Sequence, residues 1–237
     1  MIVAFEDVSY SYRRKPALTN LNWTVSEGIT GLVGPNGAGK STMLALLVGL
    51  RKPKSGRVTV GGTGSGTRRR VGYLPQRFSL VPSMTVRNTV VYAAWLNGLD
   101  RRAAEAAADR ALELVDLSDR ADSAVRTLSG GLRQRAGIAA AVAHEPEIVV
   151  LDEPTVGLDP GQRVRIRRVI ERIGMNHTVV LSTHLVEDVV NLCPTVSVLD
   201  AGSLRFHGPL TELVDGAEVS ATNLEQAYER LLGQEDT

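Results

Sequence analysis

The chain has 237 residues with 27 basic and 26 acidic side chains, so no net field directs it to nucleic acid or to an anionic membrane. Its hydrophobic fraction of 43% is ordinary for a globular protein that buries a core. The single cysteine, Cys193, excludes an internal disulfide and fits a reducing compartment. We find no signal peptide and no apolar run close to the ~20 residues that span a bilayer, and therefore expect a soluble chain without direct membrane insertion.

The first part of the chain is typical of strands. Leu21, Trp23 and Val25 alternate with polar residues, which is the period-two pattern of a strand with one buried face. Val58 and Val60 repeat that pattern more weakly. We also expect strands at Ile29–Val33 and Val71–Leu74, and a flexible glycine-rich loop at 61–67.

Helical character begins near residue 85. Residues 101–117 are rich in alanine at helical spacing, and a helix expected at 132–144 is stopped by Pro146. Beyond it, short apolar strands alternate with helices. The strands are expected at 148–151, 178–181 and 196–199, and the helices at 161–173, 185–192 and 223–232. This alternation predicts a parallel sheet with helices on its faces.

A phosphate-binding loop is predicted directly after the strand Ile29–Val33. The nine residues GPNGAGKST lie between that strand and an apolar helix expected at 43–50, which is the context that the motif requires. Glycines let backbone N–H groups turn toward phosphates, and the helix N-terminus adds a favourable dipole. We expect Lys40 to reach the β- and γ-phosphates and Ser41 to ligate Mg²⁺. The candidate nucleotide-binding residues of this loop are Gly34, Pro35, Asn36, Gly37, Ala38, Gly39, Lys40, Ser41 and Thr42.

Two further patterns indicate functional sites, one formed by a pair of acids and one by a turn that can bind an anion. Asp152 and Glu153 follow a buried apolar strand, where acids cost free energy unless they face a cation or a reacting group. We expect Asp152 to hold Mg²⁺ through water and Glu153 to accept a proton from the attacking water as general base. The turn Ser129-Gly130-Gly131 opens the helix at 132, so its hydroxyl and N–H groups form a second anion cradle.

Together, GPNGAGKST, LSGG, VVLDEP, GLDP and STH resemble the nucleotide-binding subunit of an ABC (ATP-binding cassette) transporter over essentially the whole chain. The resemblance implies that Gln76 is the Q-loop residue at the metal or the attacking water. It implies that Asp159 lies along a dimer seam and that His184 contacts the γ-phosphate. Tyr12 matches the aromatic residue that stacks on adenine. Leu132 departs from the glutamine often found after LSGG, which removes one polar group near the seam.

The resemblance also implies an architecture. We expect an α/β P-loop NTPase fold with a parallel sheet core, an N-terminal antiparallel β subdomain and an inserted α-helical subdomain. The whole chain, 1–237, is then one nucleotide-binding domain. Its parts are about 1–75 for the β subdomain with the phosphate loop, about 85–145 for the helical subdomain, and about 146–237 for the rest of the ATPase core with a C-terminal helix.

The implied function is Mg-ATP binding and hydrolysis in a head-to-tail dimer, with a second copy or a paralogous cassette. The expected catalytic residues are Lys40, Gln76, Glu153 and His184, and the expected metal ligands are Ser41, Gln76 and Asp152. The dimer would drive transport, with export favoured, through a separate integral-membrane permease at the cytoplasmic, inner face of the cell membrane. The permease would contact a groove at 77–87, floored by Phe78, Leu80 and Val81.

Two other classes of ATPase share the phosphate loop. A mechanical ATPase of the same superfamily could act on DNA or ribosomes, but the chain has neither a long coiled-coil insertion nor a second cassette, and its balanced charge disfavours nucleic acid. A metabolic kinase would leave LSGG and His184 unexplained. The arginines of the helix at 161–173 are interpreted as a solvated face. They are Arg163, Arg165, Arg167, Arg168 and Arg172.

Overall fold

The computed structural model describes residues 2–61 and 70–233. The chain folds into two compact units, a first unit of residues 1–65 with 178–237 and a second unit of residues 66–177. Nearly all of the loop expected at 61–67 lies outside the described residues. The subdivision near residues 75, 85 and 145 stays a prediction.

Strands and helices alternate as the sequence predicts. The strands are β1 (Val3–Tyr12), β2 (Lys15–Val25), β3 (Ile29–Val33), β4 (Ser55–Val60), β5 (Val71–Leu74), β6 (Ile148–Asp152), β7 (Thr178–Ser182), β8 (Thr195–Asp200) and β9 (Ser203–Pro209). The helices are α1 (Lys40–Leu47), α2 (Val86–Leu96), α3 (Arg101–Leu114), α4 (Gly130–Val142), α5 (Pro160–Gly174), α6 (Val186–Leu192), α7 (Leu210–Leu213) and α8 (Ala221–Gly233).

The first unit contains two sets of paired strands. β1 lies between β2 and β4 and is antiparallel to both, which confirms the expected antiparallel region. β3 pairs in parallel with β7 on one side and with β8 on the other. β3 is therefore hydrogen-bonded along both edges, and Leu32 and Val33 are buried near its end.

An antiparallel strand, β9, pairs with β8 and was not predicted. The two strands are joined by Ala201 and Gly202, whose φ angles are 45° and 80°. Positive φ at both positions is typical of a two-residue type I′ hairpin turn, whose backbone twist matches the twist of the two paired strands. The side chains of β9 are mostly half-buried, so its sequence lacks the clear alternation by which β2 was recognised.

A buried tryptophan connects β2 to β8 and β9 in the first unit. Trp23 packs edge-to-face on Phe5, with ring centroids 5.4 Å apart. Its indole Nε1 donates a hydrogen bond to Ser197 Oγ at 2.8 Å. Ser197 Oγ lies 2.9 Å from Nδ1 of His207, and burial lowers the pKa of this histidine. Two buried polar groups are thus satisfied inside an apolar layer.

The second unit combines a parallel strand pair with a helical layer. β6 pairs with β5 and is buried along its whole length. Thr85 caps α2 by accepting a hydrogen bond from the N–H of Asn88, and Asp100 caps α3 in the same way. Arg87 binds Asp109 through two hydrogen bonds of 2.7 and 2.9 Å, which join α2 to α3 and lower the pKa of Asp109.

Some helix boundaries differ from the sequence-based ones. The helix expected at 101–117 ends at Leu114, because Asp116 takes a left-handed φ of 53° and its carboxylate pairs with Arg172. The helices expected at 43–50 and 132–144 begin earlier, at Lys40 and Gly130. β2 and β4 begin six and three residues before the alternating patterns at Leu21 and Val58. The strands expected at 29–33, 71–74, 148–151, 178–181 and 196–199, and the helices expected at 161–173, 185–192 and 223–232, agree with the structure to within two residues at each end.

We predict that Trp23→Phe lowers the free energy of unfolding by about 1–3 kcal/mol, because the buried bond to Ser197 and part of the packing are lost. Urea denaturation followed by far-UV circular dichroism measures this. Trp95→Phe is the control, since Trp95 is 54% exposed, and should change stability by less than about 0.5 kcal/mol. Equal effects of the two substitutions would contradict the structural role of the bond.

Candidate functional site

The phosphate-loop lysine folds back over its own loop. Lys40 is the first residue of α1 and is buried, and its Nζ donates hydrogen bonds to the carbonyls of Gly34 at 2.5 Å and Pro35 at 3.1 Å. The ammonium group is therefore held at the mouth of a helix N-terminus, where backbone N–H groups and the helix dipole favour an anion. This arrangement suits the β- and γ-phosphates of a nucleotide.

Two glycines set the course of this loop between β3 and α1. Gly37 and Gly39 have φ angles of 87° and 109°, a region that side-chain-bearing residues rarely adopt. A Cβ on Gly39 would lie 2.7 Å from the carbonyl oxygen of Ala17, whereas a Cβ on Gly37 would meet no atom within 4 Å. Gly39 is thus required for both conformation and space, and Gly37 for conformation alone.

Tyr12 lies at the end of β1 and is 43% exposed. The hydroxyl of Thr42 in α1 donates a hydrogen bond to the Tyr12 hydroxyl at 3.3 Å. The guanidinium of Arg51 lies 4.8 Å from the centre of the Tyr12 ring, and Tyr10 packs edge-on against it at 5.1 Å. These contacts join the ring to the helix that follows the phosphate loop. Sequence reasoning misses Arg51, because residues 12 and 51 are far apart along the chain.

His184 and the start of the phosphate loop line one cavity of about 380 Å³ in the first unit. The loop contributes Gly34, Pro35 and Asn36, and His184 is exposed. The rest of the wall is largely apolar and comes partly from α8, a helix for which the motifs predict no role. Its residues are Val33, Val186, Val189, Leu224, Glu225 and Tyr228. The structure therefore brings together two of the predicted motifs of this unit.

The acid pair ends β6 in the second unit. Asp152 is only 6% exposed. Burial of the Tyr73 hydroxyl, and second the negative charge of Asp152, raise the pKa of Tyr73 to about 12. Glu153 has a left-handed φ of 54°, which is uncommon for a residue with a side chain. Backbone strain of this kind concentrates at functional positions, because the fold must impose it.

Ser129 of the expected anion cradle and Asp159 of the expected dimer seam are also helix caps. Ser129 accepts a hydrogen bond from the N–H of Leu132 at 3.4 Å and begins α4. Asp159 accepts one from the N–H of Gln162 at 2.9 Å and begins α5. Ser129 and Gly130 are exposed, while Gly131 is buried, and a Cβ there would collide with the Gln162 side chain.

Gln76 is exposed and lines a groove of about 510 Å³ in the second unit. Phe78 and Leu80 line the same groove, as the sequence predicts, but Val81 is 49% exposed and does not. Three arginines from separate segments surround it, and its lining includes no acidic residue from the described ranges 2–61 and 70–233. They are Arg77, Arg126 and Arg133.

The residues expected to bind Mg²⁺ offer the oxygen donors that this ion prefers. They are the Ser41 hydroxyl, the Gln76 amide and the Asp152 carboxylate. Across residues 2–61 and 70–233, no group of three or more His, Cys, Asp or Glu could hold a metal ion. Protein ligands so few in number fit an ion that also binds substrate phosphates and water.

The family model described as ABC transporter matches residues 18–156, a segment that runs from β2 past Glu153. The chain belongs to the ABC transporter family. It is accordingly an ATP-binding protein and an ATP hydrolase. The fold class is confirmed by solved structures of the family. None of the helices in the described ranges has the length and apolar character needed to cross a membrane.

Curated relatives include proteins of resistance, export and import systems. The linearmycin resistance ATP-binding protein LnrL of Bacillus subtilis is 34% identical, over 88% of this chain and 69% of its own length. The Nod factor export ATP-binding protein I of Rhizobium etli is 36% identical, over 92% and 72%. The methionine import ATP-binding protein MetN 2 of Paraburkholderia xenovorans is 36% identical, over 93% and 61%.

Two solved structures share the fold over most of the chain. The ATP-binding subunit of an ABC transporter superposes with a TM-score of 0.83 at 27% identity, covering 98% of this chain and all of that one. A dimeric ATP-binding cassette in a post-hydrolysis state, bound to ADP and Pi, gives a TM-score of 0.75 at 26% identity. That second match covers 88% of this chain and 99% of the other.

We predict that Gly39→Ala lowers the free energy of unfolding more than Gly37→Ala does. Gly37→Ala should cost about 1–2 kcal/mol through its left-handed conformation, and Gly39→Ala should add the clash with the Ala17 carbonyl. Urea denaturation compares the two, and ATP titration should show weaker binding for Gly39→Ala. If the two variants are equally stable, the close approach at Gly39 is wrong.

Proposed function

We propose that this chain hydrolyses Mg-ATP as one half of a head-to-tail dimer, and that this work drives transport through a separate permease. The observation that carries the proposal is the position of Lys40. This buried residue begins α1, and its ammonium group bonds to the carbonyl of Gly34, which lines the same cavity as His184. Binding and catalysis at such a site depend mainly on positioning and on stabilising charge.

In the first unit, the phosphate loop binds and orients the nucleotide. Backbone N–H groups between Gly34 and Ser41 cradle the phosphates, and Lys40 moves from its loop carbonyls to the negative charge of the β- and γ-phosphates. His184 lies where the loop begins and stabilises the γ-phosphate. Tyr12, which Thr42 ties to α1 and Arg51 covers, stacks on adenine. Tyrosine offers a flat apolar face at little entropic cost.

In the second unit, Glu153 acts as general base on the attacking water. A carboxylate serves here because it can take the proton of the water as the water oxygen bonds to the γ-phosphorus and the bond from that phosphorus to the leaving ADP oxygen breaks. The strained backbone at Glu153 fixes the direction of that side chain relative to β6. Asp152, Ser41 and Gln76 would hold Mg²⁺, and the bound ion would supply positive charge to the phosphate oxygens. Gln76 also orients the attacking water.

The LSGG segment, of which Ser129 and Gly130 are exposed, completes the site of the partner subunit. Ser129 and Gly130 present a hydroxyl and N–H groups at the start of α4, and these favour an anion supplied by another molecule. Asp159 caps α5 and lies along the seam between the two subunits. Support comes from the dimeric state of the solved cassette bound to ADP and Pi. ATP then stabilises the closed dimer, and loss of the γ-phosphate releases it.

The groove beside Gln76 receives the permease. Phe78, Leu80 and Pro82 supply apolar surface, which suits a short amphipathic helix from the membrane partner. This contact places the chain at the inner face of the cell membrane without inserting it. Export is the proposed direction, supported by the names of the linearmycin resistance and Nod factor relatives, against one import relative.

We predict that Glu153→Gln lowers ATP turnover by about 100-fold or more, because the amide cannot accept the proton. The same variant should form a dimer in Mg-ATP, measured by light scattering after size-exclusion chromatography. Glu113→Gln is the control, since Glu113 is an exposed acid on α3, and it should retain wild-type turnover. Wild-type turnover in Glu153→Gln would remove Glu153 from the base role, and a persistent monomer would contradict the dimer.

A further inference from the structure

A second basic cavity lies in the second unit, away from the phosphate loop in sequence. It has a volume of about 990 Å³ and is walled by α4, α5 and the segment 116–120. We propose that this cavity binds the phosphate groups of a small, non-aromatic phosphorylated ligand. Three of the five helix arginines that the sequence pattern assigned to a solvated face are part of its wall, namely Arg165, Arg168 and Arg172.

Positive charge exceeds negative charge in the lining. Five arginines face three acids, Asp116, Asp119 and Glu171. Arg172 binds Asp116 through two hydrogen bonds of 2.7 and 2.9 Å, and Arg120 pairs with Asp119 at 3.5 Å. Three arginines and one acid remain outside these pairs. The arginines outside them are Arg135, Arg165 and Arg168.

Arg135 is the deepest of these cations. It is only 6% exposed, and its Nη1 donates to the carbonyls of Val115 at 3.1 Å and Asp116 at 2.8 Å. Its Nε is buried and has no hydrogen-bond partner among the described residues. Burial lowers the pKa of Arg135; the charge of Asp116 opposes this effect, and the nearby charge of Arg165 adds to it. A buried cation whose donors are not all paired is unfavourable, and a negative charge in the cavity that Arg135 lines would stabilise it.

Arg165 and Arg168 supply further donors at the opening. Both are exposed, and they lie three positions apart on α5, so they share one face of that helix. In the described part of the chain, neither side chain makes a hydrogen bond or an ion pair. Two guanidinium groups can therefore close on a ligand without breaking an existing contact.

The chemistry of the wall selects the ligand class. A guanidinium presents paired N–H donors that match the oxygens of a phosphate, and it stays charged at any physiological pH. Among the residues that the structure describes, no aromatic one lines the cavity, and the apolar members of the lining are Leu132 and Met175. These residues offer no ring on which a nucleobase could stack. The two positive charges in excess fit a ligand with at least two negative charges.

This site goes beyond ATP hydrolysis and does not depend on it. Ser129 borders the cavity and also belongs to the proposed ATP site. Nucleotide must therefore occupy the phosphate loop during the test, so that the probe does not bind there. The probe is inorganic pyrophosphate, titrated calorimetrically into the full-length chain in saturating Mg-ADP. The comparison is between wild type, the Arg165→Ala/Arg168→Ala variant and an Arg101→Ala/Arg102→Ala control. The control also removes two exposed arginines from one helix of the same unit.

Wild type and the control should each bind one equivalent of pyrophosphate in excess of the Mg-ADP site. Arg165→Ala/Arg168→Ala should bind at least about tenfold more weakly, because two charge-assisted contacts are lost. Urea denaturation of each variant checks that it is folded. The proposal is overturned if wild type shows no saturable pyrophosphate binding, or if both double variants bind with the same affinity.

Discussion

The point where β3 ends constrains the rest of the first unit. β3 is hydrogen-bonded to β7 and β8 along both edges, so its position and register leave little freedom. The chain must turn from this strand into α1 within residues 34–39, and Gly39 is pressed against the carbonyl of Ala17. Since β7 runs parallel to β3, the residues that follow β7 emerge at the same edge. His184 therefore lines a cavity with Gly34 as a consequence of strand pairing.

In the second unit, too, functional residues follow the end of a buried strand. β6 is apolar and buried until Asp152, so the polar residues come only where the strand ends. Glu153 follows with a left-handed backbone, a conformation that costs of order 1–3 kcal/mol and that the surrounding packing must support. Ser129 and Asp159 each cap a helix as well as serving the proposed dimer. Substitution of either residue therefore affects stability and function together.

Most of the strands could be predicted from the sequence because their signal is local. β3 and β5 have the expected limits, and the buried stripe of α5 (Ile166, Val169, Ile170 and Ile173) is regular. The failures involve contacts between distant residues. α3 ends early where Asp116 meets Arg172, and the half-buried β9 depends on its pairing with β8. Arg165 joins a cavity only because Arg135, from another helix, forms its floor. The spacing of apolar residues along the sequence does not predict such contacts between distant residues.

In the proposed dimer, each ATP site takes its phosphate loop from one subunit and its LSGG segment from the other. The most direct test is to mix two inactive variants, Lys40→Ala and Ser129→Arg, and measure ATP hydrolysis. In a mixed dimer, the intact Lys40 of one subunit meets the intact Ser129 of the other at one site. We predict that the mixture hydrolyses ATP well above the sum of the separate variants. If mixing restores no activity although mixed dimers form, the shared site is contradicted.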